Sequence, residues 1–580
     1  MNAVEALLAI LAEEGVDRVF GNPGTTELPF LDALAAAGTP EYVLALQELS
    51  AVAMADGYAR ATGRPSFASL HVAAGVANGL IGMLNASRSR TPMVITAGQQ
   101  DRRHLVQDPM LSGDLVRLAA AATKHAVEVQ HARDLPVLLR RAFALSRQPP
   151  AGPVLLSIPM DLLAEDAQVQ LLGRSPVTEA GAAAGVATAA SILAAAHRPA
   201  IVAGDGVGRD GAIADLVAVA EATGSAVYHQ PMYDGVNFPG GHPLSAGMPL
   251  PTNAAVRAAL AGHDVAFVVG CHAFTPHHYT PGGPIPDGVR VVQLDSDPAE
   301  IGRNFPVAAG LVGGLGPTLG ALARELAGRV PAAAARVARA REAAAAARAA
   351  TEAQALAAYG RVPLDPLAAA HAVAAGLPAG AVVVEEAITV GLMLRRVLHL
   401  DRPRSYVHTV GGGLGWGIGA AVGSRLGAPD RPVVAVLGDG CAMFGIQGLW
   451  TAARHRVPVA FVVMNNGEYR TLKETLDSAG SAATRLRRYP GLDLAPPALD
   501  WAAAGALFGI RAVRVGSAGE LREVVAGAAD LDGPVLVEVP VRSHAAEHGY
   551  ASAAQRPFDA VAIAAGGGVP APSPDGGDHR

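Results

Sequence analysis

Cysteine is nearly absent. Two occur in 580 residues, Cys271 and Cys441, which excludes a disulfide scaffold. Charge is sparse: 45 Lys and Arg stand against 51 Asp and Glu, a net charge of −6. A chain with no basic surplus has little to offer a phosphate backbone, which argues against a general nucleic-acid binder. No apolar run reaches the ~18 residues needed to cross a bilayer. The start, Met1 to Phe20, carries Glu5, Glu13 and Glu14 and lacks the basic opening of a secretory signal, so it reads as an amphipathic helix. The expectation is a cytoplasmic protein.

What is present is apolar content, 51% of the residues, enough for a large core and against global disorder. Eleven short β-branched or apolar runs alternate with Ala- and Leu-rich helical stretches. The runs are 42–46, 66–70, 93–97, 154–158, 200–203, 265–269, 291–294, 382–384, 433–437, 460–464 and 535–539. Continuous rather than alternating apolarity indicates parallel strands covered on both faces. The expected class is therefore α/β, built as several doubly wound parallel sheets.

Two seams divide the chain. Around 176–185 it turns Gly- and Ala-rich before a helix opens at Val186, and 331–360 is almost pure Ala, Arg and Glu, a solvated linker helix by composition. The spacing predicts an N-terminal domain over 1–180, a middle domain over 186–330 and a C-terminal domain over 361–550. Residues 566–580, mostly Gly, Pro, Ser and Asp, read as a disordered tail.

Gly438-Asp439-Gly440 follows one expected strand, and Asn465-Asn466 ends another; twenty-four residues lie between them, room for one helix and a return strand. Both turns then sit at neighbouring strand ends on the carboxyl edge of a parallel sheet, where open α/β folds bind ligands. Glycine lets backbone N–H groups approach a phosphate. Asp439 and Asn466 supply two hard oxygens of the kind Mg²⁺ takes alongside phosphate oxygens. The pattern is a metal–diphosphate anchor. A second glycine pattern, Gly206-Val207-Gly208-Arg209-Asp210-Gly211, spells G-x-G-x-x-G but lacks a strand-end acid ~20 residues on, so it reads as a turn and not as a nicotinamide site.

The Gly438–Asn466 pattern resembles the binding motif of thiamine-diphosphate-dependent enzymes, and the likeness extends over most of the chain. The stretches 21–30, 46–48, 56–59, 70–75, 96–100, 412–415 and 449–453 fall in the order seen in benzoylformate decarboxylases. The resemblance implies pyrimidine-binding, middle and diphosphate-binding domains, with thiamine diphosphate and Mg²⁺ as cofactors. It implies that Asp439, Asn466 and Glu468 hold the metal. Thr389, Gly412, Leu414, Gly438, Gly440, Cys441 and Tyr469 then join them around the cofactor. Glu48 matches the carboxylate that bonds N1′ of the aminopyrimidine, Gly412 the carbonyl that receives its 4′-amino group, and Leu414 the wedge beneath the thiazolium.

The same resemblance implies a catalytic set of Glu48, His71, His277 and Thr25. His71 and His277 match the first-domain and middle-domain histidines, with His278 as local competitor to His277. Thr25 stands where the family has Ser and keeps the hydroxyl. Acetolactate synthases, in the same superfamily, have no His at the position of His71. The implied activity is non-oxidative decarboxylation of an aromatic or branched 2-oxo acid to an aldehyde and CO₂. The alternative is a carboligase of the acetolactate-synthase type. Leu111, Phe274 and Leu414 are expected as an apolar wall of the pocket, and Thr471 and Thr475 as hydroxyls that narrow it. The family also implies self-association as a homodimer or tetramer, with Glu48 and Asp439 of different subunits serving one cofactor.

Overall fold

Eleven apolar runs become strands, and six further strands join them in three all-parallel sheets. The structure, a computed structural model, describes residues 1–177 and 180–548; the expected tail over 566–580 lies outside the described residues.

The first sheet contains β1 (Arg18–Gly21), β2 (Glu41–Leu44), β3 (Ser66–Leu70), β4 (Met93–Gln99), β5 (His125–Glu128) and β6 (Pro153–Pro159), in the order β2-β1-β3-β4-β6-β5. The second contains β7 (Pro199–Ala203), β8 (Ala226–His229), β9 (Val265–Val269), β10 (Arg290–Asp295) and β11 (Ala309–Val312), in the order β11-β10-β9-β7-β8. The third contains β12 (Val382–Glu386), β13 (Tyr406–His408), β14 (Val433–Gly438), β15 (Val459–Asn465), β16 (Arg511–Arg514) and β17 (Val535–Pro540), in the order β13-β12-β14-β15-β17-β16. Inner strands such as β4, β6 and β9 are buried along their whole length, which is why their sequences show no alternation.

All three sheets belong to one compact unit, Met1–Asn466 with Asp500–Arg542; a second, small unit is formed by Gly467–Leu499 and the segment from Ser543. Among the described residues no helix is long and apolar enough to cross a membrane.

Two expectations are corrected, the extent of the first helix and the single helix after Gly440. The N-terminal helix, α1, covers only Ala3–Glu13; Gly15 takes a left-handed φ of 76°, and the chain re-enters as β1. The linker is a helix as expected, over Ala333–Leu356, with only Ala333 and Ala355 buried. The interval after Gly440 holds two short helices, Asp439–Phe444 and Gly448–Arg454, rather than one. The G-x-G-x-x-G segment makes a helical turn over Asp205–Arg209.

Candidate active site

The carboxyl edge of the first sheet gathers Asn22 just past β1, Glu48 beyond β2 and His71 directly after β3. Glu48 opens α2 (Glu48–Thr62), whose first turn is capped by the Gln47 side chain on the Ser50 N–H. The Glu48 carboxylate is buried and accepts from two side-chain amides, Asn22 Nδ2 at 3.1 Å and Asn78 Nδ2 at 3.0 Å. Neutral amides position the carboxylate without an ion pair, so it keeps the capacity to bond a ring nitrogen.

His71 stands at the N-terminus of α3 (Val72–Arg88). Its Nδ1 is 2.9 Å from Glu27 Oε2 and 3.0 Å from Thr26 Oγ1. Glu27 is buried and also accepts from the Gly24 N–H at 2.8 Å, the Thr26 hydroxyl at 2.7 Å and the Gly98 N–H at 2.9 Å. A carboxylate so placed accepts a hydrogen bond from Nδ1–H, which leaves Nε2 of the neutral ring with the lone pair; this is the base-plus-orienter arrangement of acid–base sites. Glu27 was not expected from the sequence. A Cβ on Gly24 would lie 2.2 Å from the His71 ring, and one on Gly98 2.1 Å from Glu27 Oε1, so both glycines exist to admit this pair. Tyr42 registers both acids: burial and the nearby charges of Glu27 and Glu48 push its phenol well up.

The third sheet lines its own carboxyl edge with Thr389, Gly412, Asp439 and Asn466. Gly438 of β14 is in register with Met464 of β15, so Asp439 and Asn466 follow adjacent strand ends. Asp439 is buried, with Oδ1 accepting from the Gly440 N–H at 2.9 Å. Cys441, two residues along, is a buried thiol whose pKa burial and the surrounding acids drive well up, so it packs as a small apolar residue.

The glycine-rich turn between β13 and α4 (Gly417–Gly427) is clasped from two sides. Asn85 of α3 bonds both the carbonyl of Gly413, at 2.9 Å, and its N–H, at 3.0 Å. Glu386 accepts from the N–H groups of Trp416 and Gly417 at 3.1 and 2.9 Å. Burial raises its carboxyl to about 8 against the pull of those donors. Gly412, at φ 76°, has open space where a side chain would be, and Leu414 is half-buried. Helices α2 and α4 meet backbone to backbone: a Cβ on Gly57 would fall 2.1 Å from the Ala420 carbonyl, and one on Gly423 1.9 Å from that of Met54. Trp416 Nε1 donates to the buried Asp56 at 2.6 Å. Helix α3 thus carries Asn78, on Glu48, and Asn85, on the glycine turn, seven positions apart on one face.

The other expected residues have these surroundings. Thr25 is exposed in a 3₁₀ turn. His277 is exposed beyond β9; its ring Nδ1 lies 3.0 Å from His278 Nε2 and its N–H bonds the Pro251 carbonyl. Phe274, expected as pocket wall, is buried in the second sheet's core against Phe305. Leu111 is 41% exposed. Glu468, Tyr469, Thr471 and Thr475 lie in the small unit. There Glu468 Oε2 pairs with Lys473 at 2.6 Å while Oε1 accepts from the His544 N–H. The Tyr469 N–H bonds Leu492, and the Thr475 hydroxyl donates to the Thr471 carbonyl at 2.9 Å, its own helix's backbone.

Comparison with known proteins covers the whole arrangement. Models of the thiamine pyrophosphate enzyme match in three parts: the N-terminal TPP binding domain over residues 1–119, the central domain over 186–322 and the C-terminal TPP binding domain over 389–539. The chain is 36% identical to benzoylformate decarboxylase of Pseudomonas aeruginosa, covering 92% of this chain and 98% of that one. It is 30% identical to the putative acetolactate synthase large subunit IlvX of Mycobacterium tuberculosis, over 94% and 99%. Among solved structures, the thiamine diphosphate-dependent 4-hydroxybenzoylformate decarboxylase of Rhodococcus jostii RHA1 superposes with a TM-score of 0.82 at 30% identity, covering 94% and 99%. Benzoylformate decarboxylase from Polynucleobacter necessarius gives 0.83 at 29%, over 93% and 99%.

Proposed function

The chain belongs to the thiamine pyrophosphate enzyme family, and from that premise we propose that it decarboxylates an aromatic or branched 2-oxo acid to the aldehyde and CO₂ without oxidation. Enzymes of this family use thiamine diphosphate with Mg²⁺, and the residues fit the pair. Asp439 and Asn466 offer hard oxygens at adjacent strand ends, and Gly412 leaves its surroundings open. Glu48 presents a buried carboxylate held by two side-chain amides. When bound, thiamine diphosphate supplies the carbon nucleophile for the ketone and the sink for the electrons left as CO₂ departs.

This reading gives each residue a task. Asp439 and Asn466, with Glu468 as the third proposed ligand, would hold the metal that neutralises the diphosphate charge. Thr389, Gly438, Gly440, Cys441 and Tyr469 complete the proposed cofactor contacts, and Leu414 supplies the apolar wedge. Glu48 shares a proton with the pyrimidine nitrogen. Thr25 offers its hydroxyl to the substrate carboxylate.

The observation that carries the choice of reaction is the Glu27–His71 pair. A ring whose Nδ1 is committed to a buried carboxylate presents Nε2 for proton transfer, the part imidazole most often plays in acid–base catalysis. A decarboxylase needs that proton to finish its product; a carboligase, which delivers the carbon to a second carbonyl, does not. The second reading, an acetolactate-synthase-type carboligase, is supported by the IlvX relative and by the pairing of His277 with His278 rather than with the His71 cluster. His277 remains the proposed second proton carrier. Replacing His71 by Ala is expected to slow aldehyde formation ~10²–10⁴-fold with cofactor binding retained; unchanged aldehyde formation removes the decarboxylase assignment. We also propose assembly as a homodimer or tetramer, for which the check is light scattering at assay concentration: an active monomer contradicts it.

A further inference from the structure

The small unit holds a cluster of side chains of the types that ligate metals. Asp477 lies in the last turn of helix α5 (Arg470–Ser478), and His544 and His548 lie one turn apart on α6 (His544–His548). The i, i+4 spacing puts both imidazoles on one face. Their ligand atoms and an Asp477 carboxylate oxygen all fall within 4.8 Å of one another. His544 Nε2 is 2.5 Å from Asp477 Oδ2, and His548 Nε2 is 3.9 Å from the same oxygen.

The surroundings orient each donor. Asp477 Oδ1 is occupied by the hydroxyls of Tyr489, at 2.6 Å, and Thr484, at 2.8 Å, which turns Oδ2 toward the imidazoles. His548 Nδ1 donates to the His544 carbonyl at 2.9 Å, so its Nε2 keeps the lone pair and faces the cluster. His544 is buried, and the two rings pack at 4.2 Å between centroids. Hydrogen bonds that set the tautomer and swing of a ligand are the usual outer shell of a metal site.

We propose that Asp477, His544 and His548 form a site for a divalent transition-metal ion of the Zn²⁺ type, with solvent as fourth ligand. Two imidazoles and one carboxylate select Zn²⁺ over Mg²⁺, which requires near-octahedral oxygen ligation. Metal–ligand bonds of ~2.0–2.2 Å in a tetrahedron set donor atoms ~3.3 Å apart, between the 2.5 and 3.9 Å seen here. An ion would part His544 from Asp477 slightly and draw in His548, whose side chain is 49% exposed. Its structural effect would be to fasten the segment from Ser543 to helix α5, joining stretches 67 residues apart in sequence. The site is distinct in chemistry from the Mg²⁺ anchor at Asp439.

The test uses the full chain without an affinity tag, saturated with thiamine diphosphate and Mg²⁺, and titrated with ZnCl₂ by calorimetry and with CoCl₂ by visible absorption. The proposal expects about one Zn²⁺ per chain and a tetrahedral Co²⁺ spectrum. H548Q and D477N should each weaken Zn²⁺ binding at least ~10-fold, while D439A, run without the cofactor, should leave it unchanged. Metal-free melting of H548Q should match the parent, since His548 is half-exposed, and shows that the variant folds. Equal Zn²⁺ uptake by the parent and the H548Q/D477N double variant overturns the site, as does loss of Zn²⁺ binding in D439A with retention in H548Q.

Discussion

A single methyl group tests whether the orientation of His71 matters. Gly24 has φ −133° and ψ −165°, a conformation any residue adopts, so Gly24→Ala introduces no backbone strain. Its new Cβ would lie 2.2 Å from Cε1 and Nδ1 of His71 and 2.3 Å from Cγ. Carbon contacts rest at ~3.5 Å, so the ring has to recede by about 1 Å. That distance breaks the 2.9 Å contact to Glu27. Losing a hydrogen bond to a charged group costs about 1.5–3 kcal/mol, and a displacement of ~1 Å in a reacting group costs ~10²-fold in rate; the two agree. We expect kcat/KM for aldehyde formation to fall ~10²-fold. Cofactor affinity and exchange of the cofactor's C2 proton should stay within about twofold, because Glu48 keeps Asn22 and Asn78. Gly173→Ala, where a Cβ meets nothing within 4 Å, is the control and should be silent. Stopped-flow aldehyde detection and NMR exchange measure the two halves. Parental turnover in Gly24→Ala refutes the role given to the Glu27–His71 pair, and loss of cofactor binding instead would show the damage to be structural.

Other expected outcomes concern separate parts of the chain. Glu48→Gln should bind the cofactor yet exchange its C2 proton ~10²–10⁴-fold more slowly; parental exchange by NMR would place the pyrimidine's partner elsewhere. Asp439→Ala should lose Mg²⁺-dependent cofactor binding while its far-UV spectrum stays unchanged, and full affinity by calorimetry would end the metal assignment. His408 is buried, and desolvation reinforced by Arg395 lowers its pKa from 6.5 to about 4. Because the unfolded chain takes that proton first, the stability it contributes is complete above pH ~6.5 and is lost as pH falls toward 4, about 3 kcal/mol in all. The stability gap between the parent and His408→Gln should therefore shrink across that window in urea titrations; a gap independent of pH contradicts the buried neutral ring.

The strands the sequence revealed and those it hid differ in one physical respect. Continuous runs such as Val265–Val269 and Val459–Val463 are buried on both faces and announce themselves. Of the six strands not expected, β5, β8, β11, β13 and β16 all lie at sheet edges, where half-exposed pairing tolerates the mixed composition of His125–Glu128 or Arg511–Arg514. The sixth, β1, was absorbed into the helix before it. Among the candidate residues, Asp439, Asn466, Glu48 and His71 can be picked out in sequence because each sits in a recognisable stretch at a strand end. Glu27, Asn78, Asn85 and Glu386 cannot. Their roles depend on partners 44, 30, 328 and 30 residues away, and no periodicity marks a polar residue for a contact that only the assembled sheets create. Phe274 is missed for the same reason: it reads as pocket lining in sequence, yet its ring completes the second sheet's core.

The central claim is the reaction itself, and product identification measures it most directly. The chain, with and without thiamine diphosphate and Mg²⁺, would be incubated with benzoylformate, ring-substituted benzoylformates, branched 2-oxo acids and pyruvate, following CO₂ release and product structure together. The account predicts cofactor-dependent CO₂ release matched one to one by aldehyde, with an aromatic or branched substrate preferred to pyruvate. Pyruvate as the best substrate with 2-acetolactate as the main product would contradict it.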